Sequence, residues 1–260
     1  VLSLTPRVYD VLGLVHPFIA QAKLILRDAW MLKCNWDAAL PVVLEKQWRR
    51  WINQLPDLEK IRIKRNILVS HDVQPADAAA ACNLSIESFG DASDVMIGAC
   101  TYLRCELNAD VLVSLIGAGS RVKNMPATCT IARKELCSIV EASELACARA
   151  RSLNIPKDRI YVYTDSRISY HWCRARDPSC WEVFVANRVQ RVQELILPQN
   201  IRWVSGSINP ADMASRFVDI ASFTCNPIWW YGPFFLMSPS ENFRESMELE
   251  ISARERDVLS

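Results

Sequence analysis

Four carboxylates fall where acids are costly unless they do something. Asp91 follows an apolar run in Phe89-Gly-Asp-Ala-Ser93, and Asp165 ends one in Tyr163-Thr-Asp-Ser166. Glu135 sits in Ile131-Ala-Arg-Lys-Glu-Leu136, and Asp212 in Asn209-Pro-Ala-Asp-Met213. A bare carboxylate buried at the end of a central strand costs on the order of several kcal/mol unless a cation compensates it. Converging carboxylates suit hard cations that prefer oxygen ligands. Two such ions about 4 Å apart can activate a water and stabilise the leaving oxygen of a phosphodiester. Each acid also has a plainer reading. Asp212 could complete a capping box with Asn209. Glu135 could be an ordinary favourable acid near a helix N-terminus, and Asp91 and Asp165 could be turn residues. Spacing alone does not force the four to converge.

The elements that would have to position them can be read along the chain. The first eighty residues are helical in texture, with apolar three- and four-residue intervals over 20–30 and 42–55, broken by Pro17, Pro41 and Pro56. Trp30, Trp36, Trp48 and Trp51 cluster there and read as core or interface packing rather than a base-stacking platform. The run 76–81 reads as a linker or short helix. After Cys82, residues 84–89, 95–104 and 111–116 read as three successive strands of an antiparallel meander, broken at Asp94 and 108–110 and closed by Gly117 and Gly119. A long helix over about 131–153 follows, with Thr130 as N-cap and Leu136, Ile139, Val140, Leu145 and Ala146 on one face. Residues 160–164 form a short buried strand. Helices over 167–174 and 181–195, a strand at 201–204 and a last helix opened by Asn209-Pro210 complete the plan. The pattern predicts an α/β fold, a mixed sheet with helices packed on it.

Composition narrows the class. Half of the 260 residues are hydrophobic and 23% are charged, enough for a packed core. No apolar run approaches the roughly 18–20 residues that cross a bilayer, and the opening residues lack the order of a secretory signal. The chain begins at Val1 rather than Met and reads as part of a longer one. Ten cysteines lie scattered singly without CxxC spacing, and three histidines lie far apart, so buried reduced thiols in an intracellular protein are expected rather than a disulfide scaffold or zinc site. Net charge is uneven: +3 over residues 1–80 (11 Lys+Arg, 8 Asp+Glu), +2 over 81–218 (16 against 14) and −4 over 219–260 (3 against 7). If four acids of the middle segment hold metal, its remaining surface is distinctly basic.

Seven segments then fall in a familiar order: 89–93 (FGDAS), 120–123 (SRVK), 131–136 (IARKEL), 163–166 (YTDS), 184–188 (FVANR), 203–206 (WVSG) and 209–216 (NPADMASR). The series resembles the ribonuclease H region of BEL/Pao-type retrotransposon polyproteins. Residues 9–17 (YDVLGLVHP) resemble the segment that links their reverse transcriptase to that domain, and Trp230-Tyr-Gly-Pro233 with Leu236 resembles the start of the region leading towards integrase. The resemblance covers residues 5–237.

It implies an RNase H-like mixed five-stranded sheet, three antiparallel strands followed by parallel ones, flanked by helices and preceded by a helical N-terminal segment. Residues 1–80 would be the connection after the reverse transcriptase, 81–218 the nuclease domain and 219–260 an acidic linker. The implied activity is metal-dependent cleavage of the RNA strand of RNA–DNA hybrids during reverse transcription. Asp91, Glu135, Asp165 and Asp212 would hold two Mg²⁺, or Mn²⁺. No Ser/His/Asp arrangement is needed, and none is evident. Because a hybrid is read by shape, phosphates and 2′-hydroxyls, Arg121, Lys123, Arg133, Lys134, Arg167 and Arg188 are candidate phosphate contacts. Ser93 and Ser166 could bond the backbone phosphate or cap turns. The implied partners are the hybrid and the reverse transcriptase and integrase portions of the same polyprotein. No membrane is involved, and the location is cytoplasmic or within a virus-like particle. Two departures stand out: Trp203 occupies a place where related domains often carry His, and Ser205 one where Pro is common. The competing reading is a catalytically inactive or domesticated fragment serving as a nucleic-acid-binding or protein-interaction module.

Overall fold

The computed structural model describes residues 7–35, 38–64, 67, 82–107, 110–122 and 129–239. The opening residues of the chain, Trp36, the run 76–81, the break at 108–109 and Lys123 lie outside these. Two helices come first, α1 (His16–Met31) and α2 (Val42–Gln54). The meander follows as β1 (Asn83–Ala92), β2 (Met96–Leu107) and β3 (Asp110–Val122), then α3 (Ile131–Ser152), β4 (Ile160–Thr164), α4 (Arg167–Arg174), α5 (Val183–Leu195) and β5 (Ile201–Trp203). Three short helices finish it: α6 (Ala211–Ser215), α7 (Ile220–Thr224) and α8 (Pro227–Tyr231). The sheet order is β3-β2-β1-β4-β5. β1 and β3 run antiparallel to β2, while β4 pairs parallel with β1 and β5 parallel with β4, the mixed arrangement expected from the strand–helix order.

β3 differs from its sequence reading. It continues through Gly117 and Gly119 to Val122, paired with β2 throughout, with a bulge that leaves Ile116 between the partners of Thr101 and Tyr102. Gly117 lies inside the strand because the Arg149 side chain of α3 fills its face; a Cβ there would stand 2.7 Å from Nε. A glycine within a strand marks a close approach as readily as an end. At α3 the expected cap is present, with Thr130 Oγ1 accepting from the Arg133 N–H at 3.4 Å.

The sheet buries both faces. On one, Leu136, Ile139, Ala142 and Ala146 of α3 and Val185, Val189 and Val192 of α5 pack on Ile86, Leu103, Val162 and Ile201. On the other, Phe89, Tyr102 and Tyr163 meet Phe18 and Trp51 from α1 and α2, and Phe223, Trp229 and Leu236 from the C-terminal stretch. Buried indoles need a partner for their N–H. Trp51 donates to the Phe18 carbonyl at 3.0 Å and Trp229 to the Leu14 carbonyl at 2.9 Å. Arg104, 3% exposed on β2, donates to the carbonyls of Leu236 and Ser238. Residues on both sides of the sheet-forming stretch therefore share one core with it.

Candidate active site

One end of the sheet collects the acids. β1 and β4 lie side by side in parallel, so Asp91 at the end of β1 and Asp165 just past β4 emerge together. α3 crosses β1 closely because Gly90 leaves room: a Cβ there would stand 2.7 Å from the Ser138 carbonyl oxygen. That approach brings Glu135, one turn earlier on α3, over the strand end. Carboxylate oxygens of Asp91, Glu135 and Asp165 lie within 4.8 Å of one another.

The electrostatics follow from that convergence. Burial pushes the Asp91 carboxyl up to about 6, the charges of Asp165 and Asp212 adding to it while the Ser215 hydrogen bond opposes. Burial also pushes Glu135 up to about 9, with Asp91 and Asp165 adding to the shift and the Ala92 backbone N–H opposing it. Asp165 is raised by burial, against hydrogen bonds to the backbone and to Asn209. Glu135 Oε2 is buried without a hydrogen-bond partner. A buried orphan oxygen on a carboxylate that is clustered with two others requires a proton or a cation. Three oxygen donors of one sign, with an unmet lone pair among them, fit a hard divalent ion.

Asp212 stands apart from the trio. It lies on α6, where its Oδ1 accepts from Arg216 Nε at 2.7 Å and its side chain is 42% exposed. Its charge adds to the upward shifts of Asp91 and Asp165. The capping-box alternative is not what the helix uses. The residue ahead of α6 is Pro210, and Asn209 Oδ1 accepts instead from the Ala211 N–H at 3.1 Å. Asn209 Nδ2 meanwhile donates to the Gly90 carbonyl at 3.1 Å.

The other singled-out residues divide by what they touch. Ser93 closes the β1–β2 turn, its Oγ accepting from the Met96 N–H at 3.0 Å. Ser166 caps α4 by accepting from the Ser169 N–H at 3.3 Å. Arg121 pairs with Glu141 at 3.0 Å, Lys134 with Asp94 at 3.0 Å, and Arg133 with Glu182. Such exposed pairs are worth about 0–1 kcal/mol and exchange readily for a phosphate. Arg188 is committed inward, donating to Cys137 Sγ at 3.2 Å and to the Phe184 carbonyl at 3.0 Å, with its guanidinium 3.5 Å over the Phe184 ring. Arg167 lies exposed over the Trp203 ring at 5.1 Å, and the Trp203 indole N–H donates to the Asp165 carbonyl at 2.9 Å. Trp203 thus fixes the backbone beside Asp165.

Sequence reasoning missed the groups that hold the acids. Ser215 Oγ donates to Asp91 Oδ2, and Asn209 ties β1, Asp165 and α6 together. Two further glycines admit their neighbours. A Cβ at Gly98 would stand 2.5 Å from the Ser215 backbone nitrogen, and one at Gly206 2.9 Å from Asp165 Oδ2. The only sequence signal was that Asn209, Ser215 and Gly206 fall inside the motif segments.

Residues 1–166 match the family model described as the Pao retrotransposon-like RNaseH-like domain. No curated protein matches the chain. Among solved structures, the chain is similar to RNase H1 from the halophilic archaeon Halobacterium salinarum NRC-1, at 14% identity and a TM-score of 0.30, over 49% of this chain and 89% of that one. It is also similar to the N-terminal RNase H domain of rv2228c from Mycobacterium tuberculosis, solved fused to maltose binding protein. There the identity is 13% and the TM-score 0.32, over 51% of this chain and 92% of that one.

Proposed function

The chain belongs to the Pao retrotransposon-like family of RNaseH-like domains, and from that premise we propose that it is a divalent-metal-dependent endoribonuclease acting on the RNA strand of RNA–DNA hybrids. The fold is RNase H-like, a five-stranded mixed sheet flanked by helices, with an acidic triad at one end. The observation that carries the reading is the convergence of carboxylate oxygens from Asp91, Glu135 and Asp165 within 4.8 Å of one another, beside a Glu135 Oε2 that is buried without a hydrogen-bond partner. Metal-free, this trio is a cluster of unwanted like charges; with cations it is a site.

Asp91, Glu135 and Asp165 would hold the ions, two Mg²⁺ or Mn²⁺, and Asp212 completes the set. Bound there, divalent cations supply charge neutralisation at the scissile phosphate and lower the pKa of a nucleophilic water. The chain's own residues do the rest. Trp203 and Asn209 keep Asp165 turned into the cluster. Arg167, stacked on Trp203, presents a cation beside it for a hybrid backbone. Arg133, Lys134 and Arg121 lie on exposed pairs that a phosphate can displace. Arg188 serves the α3–α5 contact rather than the substrate. The wider context, action during retrotransposon reverse transcription beside reverse transcriptase and integrase portions of one polyprotein in the cytoplasm, is part of the same reading. No helix among the described residues is long and apolar enough to cross a membrane.

The test is cleavage of a labelled RNA–DNA hybrid by the purified chain with Mg²⁺, beside an Asp165→Asn variant. Metal-dependent cutting by the wild type alone supports the proposal. Hybrid binding without cutting would favour the inactive-module alternative, and equal cutting by both proteins would refute the assigned site.

A further inference from the structure

Asp91 has two carboxylate oxygens, and a hydroxyl holds one of them. Oδ2 accepts the hydroxyl hydrogen of Ser215, the last residue of α6, whose side chain is 1% exposed. Ser215 Oγ also lies 3.1 Å from the Asp212 carbonyl. A hydroxyl has one hydrogen to give, and the charged carboxylate is the stronger acceptor. The contact exists because of Gly98. On β2 this residue pairs directly with Asp91, and directly opposed residues point to the same face of the sheet. Without a side chain, Gly98 lets the α6 backbone lie against the sheet; a Cβ would stand 2.5 Å from Ser215 N and 2.6 Å from Ala214 C. The same short helix carries Asp212 one turn before Ser215.

We propose that Ser215 is a positioning residue: it occupies Asp91 Oδ2, leaves Oδ1 as the oxygen offered to a cation, and docks α6 so that Asp212 and Asp91 serve one site. This rests on the metal-site reading above. Donors that orient a ligating carboxylate typically control metal affinity by about 10- to 100-fold. Ser215→Ala removes the donor and leaves Oδ2 buried without a partner, so the Asp91 carboxylate loses its fixed orientation. Ser215→Cys, close in volume and a weaker donor, should fall between wild type and alanine.

The experiment is Mn²⁺ binding to the whole chain, followed by calorimetry or electron paramagnetic resonance without nucleic acid, and by the Mg²⁺ concentration that half-saturates hybrid cleavage. Far-ultraviolet circular dichroism confirms that each variant folds, and Ser215→Cys carries the comparison if the alanine variant does not. The expected result is an ion affinity about 10- to 100-fold weaker for Ser215→Ala, with the half-saturating Mg²⁺ rising in step and the KM for hybrid unmoved. A folded Ser215→Ala protein that binds Mn²⁺ as wild type does would overturn the inference while leaving the metal site standing. Wild type that binds no ion would overturn both.

Discussion

Replacing Glu135 by Gln should flatten the pH dependence of stability in the metal-free protein. Glu135 is raised from 4.5 to about 9, by burial first and by the charges of Asp91 and Asp165 after it. Between those two values the folded state keeps a proton that the unfolded chain releases. The folded state therefore binds more protons, and stability falls as pH rises. The contribution is fully present below about pH 4.5 and is lost progressively up to about pH 9. The slope is at most about 1.4 kcal/mol per pH unit, so from pH 5 to pH 8.5 the wild type should lose about 3 to 5 kcal/mol. That is a large share of the roughly 5–15 kcal/mol that holds a domain together. Glutamine keeps the shape and cannot ionise. The variant should retain only the smaller losses from Asp91, raised to about 6, and from Asp165, which burial also raises. Urea unfolding in EDTA at pH 5, 7 and 8.5 measures the difference. Saturating Mg²⁺ should stabilise the wild type most at the alkaline end, where no proton competes for the carboxylates. Parallel pH curves for the two proteins would show that Glu135 does not carry this charge strain, and the reasoning about the orphan oxygen would fail with them.

Other perturbations reach other parts of the molecule. Gly98→Ala places a Cβ 2.5 Å from the Ser215 backbone nitrogen, and should cost about 1–3 kcal/mol in urea unfolding together with most of the hybrid cleavage. Asp212→Asn, at a side chain 42% exposed and outside the trio, should leave the urea midpoint nearly unchanged but lower the cleavage rate. An unchanged rate would remove Asp212 from the site. Trp229→Ala empties a fully buried position and strands the Leu14 carbonyl; a loss of about 3–5 kcal/mol is expected, and one below 1 kcal/mol would mean that the C-terminal stretch is not seated on the sheet. Arg167→Ala should raise the KM for hybrid without changing Mn²⁺ affinity, since the guanidinium lies over Trp203 rather than among the acids.

The sheet was legible because its signals are local. The 160–164 run read as a buried central strand, and the Thr130 cap marked the start of the long helix to the residue. Asp91 and Asp165 were legible for the same reason: an acid at the end of an apolar strand is conspicuous. Glu135 needed the family resemblance, because an acid near a helix start is commonplace. What escaped were contacts between segments distant in sequence. Ser215 and Asn209 are small polar residues in a five-residue helix and its approach, and nothing local says that one grips Asp91 and the other Asp165. Gly117 and Gly119 were read as the end of a strand that runs through them; at Gly117 a breaker and a contact point look alike until the Arg149 side chain is seen. The tryptophans of the first eighty residues announced a face to be covered without naming its partner. Phe18 and Trp51 belong to one buried cluster with Tyr102, Tyr163 and Trp229.

That shared core has a consequence for how the chain tolerates cutting. A protease acting between Lys64 and Cys82 would sever α1 and α2 from the strands in sequence but not in space. The Leu14 carbonyl would still accept from the Trp229 indole at 2.9 Å, Lys23 Nζ would still hold the Ser120 carbonyl at 2.9 Å, and the Leu12 carbonyl would still accept from the Ala118 N–H at 2.8 Å. The two pieces would behave as a split protein, associating through the second face of the sheet, and the larger piece alone would leave the Trp229 indole N–H and the Ala118 N–H without these partners. Nuclease competence would then depend on the first helices as a tightly bound subunit rather than as a tether.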